Sequence, residues 1–147
     1  MTCIPPPVLA AWANRDGYAV LTTVDPHGMP NAIYVGSFQL LGDDTIVIAD
    51  NYFAKTRANI GAGSRGAFVF LTKERKSYQL KGHFEYITSG PVFDEMKRWN
   101  PSRHPGVAAA VLRVDEVYSG AERLAWYAGW LEVAYEAGDV RLYRVPR

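Results

Sequence analysis

The sequence predicts a mainly β protein, an antiparallel β-barrel of six strands with short helices at its periphery. Three observations point there. Apolar runs of strand length recur along the chain, each followed by turn residues. The helical patterns are few and short. One run, Ser77 to Thr88, alternates cleanly, with Tyr78, Leu80, Phe84 and Tyr86 on one face and Gln79, Lys81, His83 and Glu85 on the other.

Taken in order, three prolines and then Val8 to Asn14 read as a short helix with proline in its first turn. Tyr18 to Val24 is a strand, and Asp25-Pro26-His27-Gly28 turns it. Asn31 to Leu41 is a second, longer strand; Gly42-Asp43-Asp44 leads into a third, Thr45 to Ala49, making an antiparallel meander. Gly66 to Thr72 is apolar on both faces, a buried strand, and Lys73 to Lys76 is the polar tip before the alternating run. Pro91 to Trp99 is an amphipathic helix stopped by Asn100-Pro101, and Gly106 to Tyr118 returns as a strand. Beyond it, Ala121 to Trp126 reads as a short helix. Leu131 to Tyr135 and Val140 to Val145 flank Ala137-Gly138-Asp139 as a terminal hairpin, in a segment rich in aromatics (Trp126, Tyr127, Trp130, Tyr135, Tyr143). No linker divides the chain, so one domain is expected: an N-terminal helix over 1–17, a barrel over 18–120 and an extension over 121–147.

Composition narrows the function. The 147 residues carry a net charge of +1, which offers no electrostatic case for nucleic acid or an anionic membrane. No apolar run is long enough to span a bilayer, and the N-terminus lacks the basic and apolar regions of a signal peptide. The single cysteine, Cys3, excludes an internal disulfide and a cysteine-rich zinc site, so a cytoplasmic location is expected. The histidines His27, His83 and His104 have no ligand spacing, and metal binding is not expected. His104 lies in the loop Asn100 to Pro105, within reach of a ligand by one reading, though a solvated loop is the reading preferred. No nucleophile elbow is present. Gly61-Ala62-Gly63-Ser64-Arg65-Gly66 spells a dinucleotide fingerprint, but it ends a helix and enters a strand, the reverse of what that fingerprint requires.

The stretch Asp50 to Ile60 stands apart. It follows a buried strand and turns helical, with Asp50 or Asn51 as the expected N-cap. First turns favour acids, yet this one offers Lys55, Thr56 and Arg57, two cations and a hydroxyl suited to a phosphate. An ordinary solvated helix is the competing reading. Upstream, Gly36 interrupts a strand within Tyr34-Val35-Gly36-Ser37, which marks either a barrel bend or close approach by a ligand.

With these pieces in order, the chain resembles the pyridoxamine 5′-phosphate oxidase-like, FMN-binding split-barrel family, and its small flavin-binding members in particular. Ala19 to Asp25 with His27 to Pro30, Val35 to Ser37, Ile46 to Asn51, Lys55-Thr56, Tyr78 to Gly82, Gly90 to Phe93 and Val114 to Tyr118 carry the resemblance. It implies a split barrel that dimerises with itself and holds FMN at the subunit interface. By that analogy Lys55 and Thr56 hold the phosphate together with Tyr34, Val35, Gly36 and Ser37. Asp50 and Asn51 lie beside the isoalloxazine, and Ser77 and Gln79 are further contacts around phosphate or ring. Tyr34 stands where the true oxidases carry a phosphate-binding arginine, and their C-terminal substrate signature is missing, so pyridoxamine phosphate oxidation is not expected. The resemblance implies a flavin-dependent oxidoreductase of unknown substrate, served by a nicotinamide nucleotide or a protein electron donor. An electron carrier without a substrate, or a deazaflavin in the same groove, remains an alternative. The extension from Ala121 lies outside the resemblance.

Overall fold

The computed structural model describes residues 3–126, 132–137 and 140–144. In chain order the elements are α1 (Pro6–Ala13), β1 (Ala19–Val24), β2 (Pro30–Val35), β3 (Phe38–Leu41), β4 (Thr45–Asp50), α2 (Lys55–Gly61), β5 (Arg65–Leu71), β6 (Ser77–Ile87), α3 (Pro91–Trp99), β7 (Ala108–Ser119), β8 (Glu122–Trp126), β9 (Glu132–Ala137) and β10 (Val140–Arg144). The main sheet is antiparallel and eight-stranded, ordered β2-β1-β5-β6-β7-β4-β3, with β8 paired to β7. Strands β2 and β3 occupy opposite edges of that path, yet only Gly36 and Ser37 separate them in the chain. A link that short reaches about 10 Å at most, so the two edges meet and the sheet curls into a split barrel.

Two strands beyond the expected six account for the difference. The run predicted as one strand from Asn31 to Leu41 breaks at Gly36-Ser37: β2 pairs with β1, and β3 pairs with β4. The barrel-bend reading of Gly36 is therefore the structural one. Of residues 121–126, expected to be helical, Glu122–Trp126 form β8 and Ala121 lies in the turn before it. Ser119 pairs with Glu122 across a two-residue turn in which Gly120 has φ +56°, and a long partner strand lies alongside. Ladder pairing to β7 outweighs the helix propensity of Glu, Leu and Ala. The terminal hairpin is present as β9–β10, a separate two-stranded sheet. The expectations on Tyr127, Trp130, Leu131, Gly138-Asp139 and Val145 lie outside the described residues.

Inward-facing Leu21, Ile46, Ile48, Phe68, Leu80 and Leu112 form the barrel core. Helix α1 lays Val8 and Trp12 into it, and Trp12 meets Phe38, Phe68 and Phe70 with ring centroids 5.3–5.6 Å apart. A second, smaller cluster lies under α3, where Met96 packs on Val47, Ala49, Ala109 and Val111. Strand β4 is thus covered on both faces, and all six of its residues are buried. Burial on two sides is what an unbroken apolar run such as Ile46-Val47-Ile48-Ala49 requires. The fingerprint-like glycine stretch is helix end and loop: Gly61 closes α2, the Ser64 amide donates to the Asn59 carbonyl at 2.9 Å, and Arg65 opens β5.

Candidate functional site

The site grows from the end of β4. Asp50 has no exposed surface. Its carboxylate accepts from the Phe53 amide at 2.9 Å, from Arg57 Nε at 2.7 Å and Nη2 at 3.1 Å, and from the Tyr86 hydroxyl at 2.6 Å. That cluster corrects the capping expectation. Helix α2 starts behind Ala54 with no side-chain cap, because Asp50 is drawn inward and the Asn51 amide is committed elsewhere. It also divides the first-turn cations. Arg57 belongs to Asp50, whose hydrogen bond holds the guanidinium above its ordinary range. Burial, followed by the bond to Asp50, pushes the Tyr86 phenol up to about 12. Lys55 is exposed and makes no ion pair or hydrogen bond among the described residues.

Thr56 is buried at the same helix turn. Its Oγ1 accepts from Asn31 Nδ2 at 3.0 Å, while Asn31 and Asn59 both donate to Thr23 Oγ1, at 3.3 and 3.0 Å. This network fixes α2 against β1 and β2, and leaves the Thr56 hydroxyl proton to donate. Lys55 is therefore a free cation on a firmly seated helix.

The segment before α2 borders a groove of about 450 Å³, within the range of about 300–1,000 Å³ usual for small-molecule sites. Tyr34, Val35, Gly36 and Ser37 form one stretch of its wall, Asn51, Tyr52 and Phe53 a second, and Pro101, Arg103 and His104 a third. Tyr18, Tyr34 and Tyr52 are each more than two-thirds exposed, an unusual concentration of uncovered aromatic surface. A Cβ on Gly36 would lie 2.5 Å from Cε1 of Tyr18, so the glycine lets that ring lie against the backbone.

The third stretch of wall is tied down at both ends. Asn51 and Asn100 exchange amide hydrogen bonds at 3.1 and 2.9 Å, Ser37 Oγ donates to Asn100 Oδ1 at 2.6 Å, and the Gly106 amide donates to Asn51 Oδ1 at 3.0 Å. Lys97 Nζ donates to the Pro105 carbonyl at 2.7 Å. Across the groove mouth Tyr52 Oη and His104 Nδ1 lie 3.1 Å apart.

The structure gathers Tyr34, Val35, Gly36, Ser37 and Asn51 on one groove, whereas Lys55 and Thr56, in the first turn of α2, are not among its lining residues. Asp50 lies behind them with its carboxylate shut inside, and the side chains of Ser37 and Asn51 face the loop as its supports. Gln79 is not in this groove. It shares the outer face of the sheet with Tyr34, in the row Tyr34, Val20, Val69, Gln79, three strand spacings or about 14 Å away. Ser77 opens β6 opposite Leu71. Sequence reasoning missed Tyr18, Tyr52 and Arg103, and set His104 aside as solvated. Their loops carry no periodic signal, and only the fold brings them together.

A family model described as pyridoxamine 5′-phosphate oxidase matches residues 6–121. The chain belongs to the pyridoxamine 5′-phosphate oxidase family. The match ends where the resemblance read from the sequence ends, and the extension from β8 onward lies beyond the family segment. Among individual family-like chains, HupZ of Group A Streptococcus is 28% identical in its solved structure, with TM-score 0.64, covering 77% of this chain and 90% of that one. An FMN-binding protein from Syntrophomonas wolfei shares the fold at 24% identity and TM-score 0.66, over 76% of this chain and 82% of that one. An uncharacterized protein of Methanocaldococcus jannaschii, MJ0282, is 25% identical over 104 residues, 67% of this chain and 70% of its own. Among the described residues no helix is long and apolar enough to cross a membrane, and no group of three His, Cys, Asp or Glu side chains is placed to hold a metal ion.

Proposed function

We propose that this family member binds FMN and works as a flavin-dependent oxidoreductase, two copies enclosing each cofactor. The observation that carries the reading is the groove itself. Its aromatic and aliphatic walls suit a planar ring and contain no carboxylate; the unpaired Lys55 is not on the wall but stands two positions along the chain from Phe53, which is. The residues fit an anionic, flat ligand: Lys55 and Thr56 would hold the phosphate, and the Tyr34–Ser37 stretch with Asn51 would border the ring. Bound there, FMN supplies two-electron redox chemistry, while the chain supplies position and exclusion of water.

Self-association is supported by the sheet's outer face. Tyr34, Val20 and Val69 sit side by side there, apolar where a solvated sheet would alternate to charge. A second copy on that face would bring Ser77 and Gln79 toward the partner's groove, which is how those two residues enter the site. The reaction partner is a nicotinamide nucleotide or a protein electron donor.

Titration of the purified protein with FMN, followed by flavin fluorescence, tests the cofactor. Saturable quenching at one FMN per chain is expected. Absence of binding, or uptake of a deazaflavin in its place, would replace this reading. Anaerobic mixing of the loaded protein with NADH or NADPH then separates an enzyme, whose flavin bleaches rapidly, from a carrier that stays yellow.

A further inference from the structure

Of the side-chain types on the groove wall, only histidine changes charge between about pH 5 and 8. The other ionisable lining groups are Tyr18, Tyr34, Tyr52 and Arg103, and no Asp or Glu is among them. Chemistry in this groove near neutral pH must therefore exchange protons with His104 or with water. His104 is also held. Its Nδ1 lies 3.1 Å from the Tyr52 hydroxyl, the two rings meet edge to face at 5.7 Å, and no described residue engages Nε2. The loop bearing it is anchored by the Asn51–Asn100 exchange on one side and by Lys97 and the Gly106 amide on the other.

We propose that His104 is the proton-exchanging residue of the groove, acting through Nε2, and that Tyr52 is a positioning residue that sets its ring and tautomer. The proposal rests on the flavin reading above. A bound reduced flavin would be oxidised as it gave a hydride, both electrons passing to the substrate and leaving an anion. The Nε2–H bond of the His104 imidazolium would break as that anion takes the proton, and a proton from solvent would restore the ring. The charges around His104 are its neighbour Arg103 and, behind the loop, Lys97, with Tyr52 across the mouth and Tyr18 and Tyr34 elsewhere on the wall.

The test needs no substrate. FMN affinity is measured first in wild type, His104→Gln and Tyr52→Phe. The midpoint potential of bound FMN is then followed against pH. Proton exchange coupled to flavin reduction bends that line within the imidazole range. Reduced flavin itself ionises in this range, so the reading is the difference between variants: the bend is expected to move along the pH axis in His104→Gln, and by less in Tyr52→Phe. A bend at the same pH in wild type and His104→Gln overturns the proposal while leaving the flavin reading intact. A protein that takes up no FMN overturns both. Ring-proton NMR gives an independent check: among His27, His83 and His104, only the His104 titration should move when FMN is added, and an unmoved His104 signal overturns the assignment.

Discussion

At the scale of single residues, Asp50 decides which cation is left for a ligand. Its carboxylate captures Arg57, and Lys55, two positions earlier, is left without a partner. Replacing Lys55 with alanine should weaken FMN by about tenfold or more, the worth of one hydrogen bond to a charged group, with little change in unfolding; fluorescence titration beside a urea melt reads both. Tyr86 gives a prediction in pH. Burial and Asp50 favour its neutral form, raising the folded value to about 12, against about 10 in the unfolded chain. The unfolded phenol therefore loses its proton first. The stability that Tyr86 contributes is complete below about pH 10 and is lost as pH climbs toward 12. Urea midpoints should fall over that window in wild type and fall less in Tyr86→Phe. Lys55 stood out in the sequence, but the Asp50–Arg57–Tyr86 cluster was not readable there, because Tyr86 is thirty-six positions from Asp50 and a cap and a buried anchor use the same residue type.

At the scale of elements, the strand and helix patterns were the most legible part. Helix α3 runs from Pro91 to Trp99 as its proline start and Asn-Pro stop require, and β4 and β6 follow their apolar run and their alternation. The misreadings occur where local propensity met a partner. Residues 122–126 would suit a helix in isolation, but β7 already lay alongside. The groove loop is the opposite case, since Asn100 to Pro105 has no periodicity and gains its form from contacts with Asn51, Ser37, Tyr52 and Lys97. Asn100→Ala removes those contacts and should lower the opening free energy of amides 101–107 by about 1–3 kcal/mol, visible as faster hydrogen exchange there than in β6 or β7. Gly82 shows the tightest backbone approach. A Cβ at that position would stand 1.8 Å from the Arg113 carbonyl oxygen, at the bulge between β6 and β7. Gly82→Ala should cost about 3 kcal/mol or more, measured as a drop in urea midpoint.

At the scale of the whole molecule, the question is what covers the outer face bearing Tyr34, Val20 and Val69. The alternation of β1 and β5 told which side chains point inward, but an apolar outward face looks in sequence like one more strand buried on both sides. A carboxylate placed in the middle of a self-association surface would be desolvated without a partner. Val69→Glu should therefore halve the mass seen in sedimentation and, with the second half of the pocket gone, abolish FMN binding while the barrel remains folded by circular dichroism. A wild-type protein that sediments as a monomer would remove the shared pocket altogether.

Gly36 and Ser37 bear on how this pocket can be altered. The same dipeptide floors the groove and joins the two free edges of the sheet, so lengthening it to admit a bulkier ligand would also unfasten the barrel. The Pro101–Pro105 segment belongs to no ladder. Variation in ligand choice, whether selected in nature or introduced in the laboratory, has its room there, where residues can be exchanged without touching the seam that keeps the fold shut.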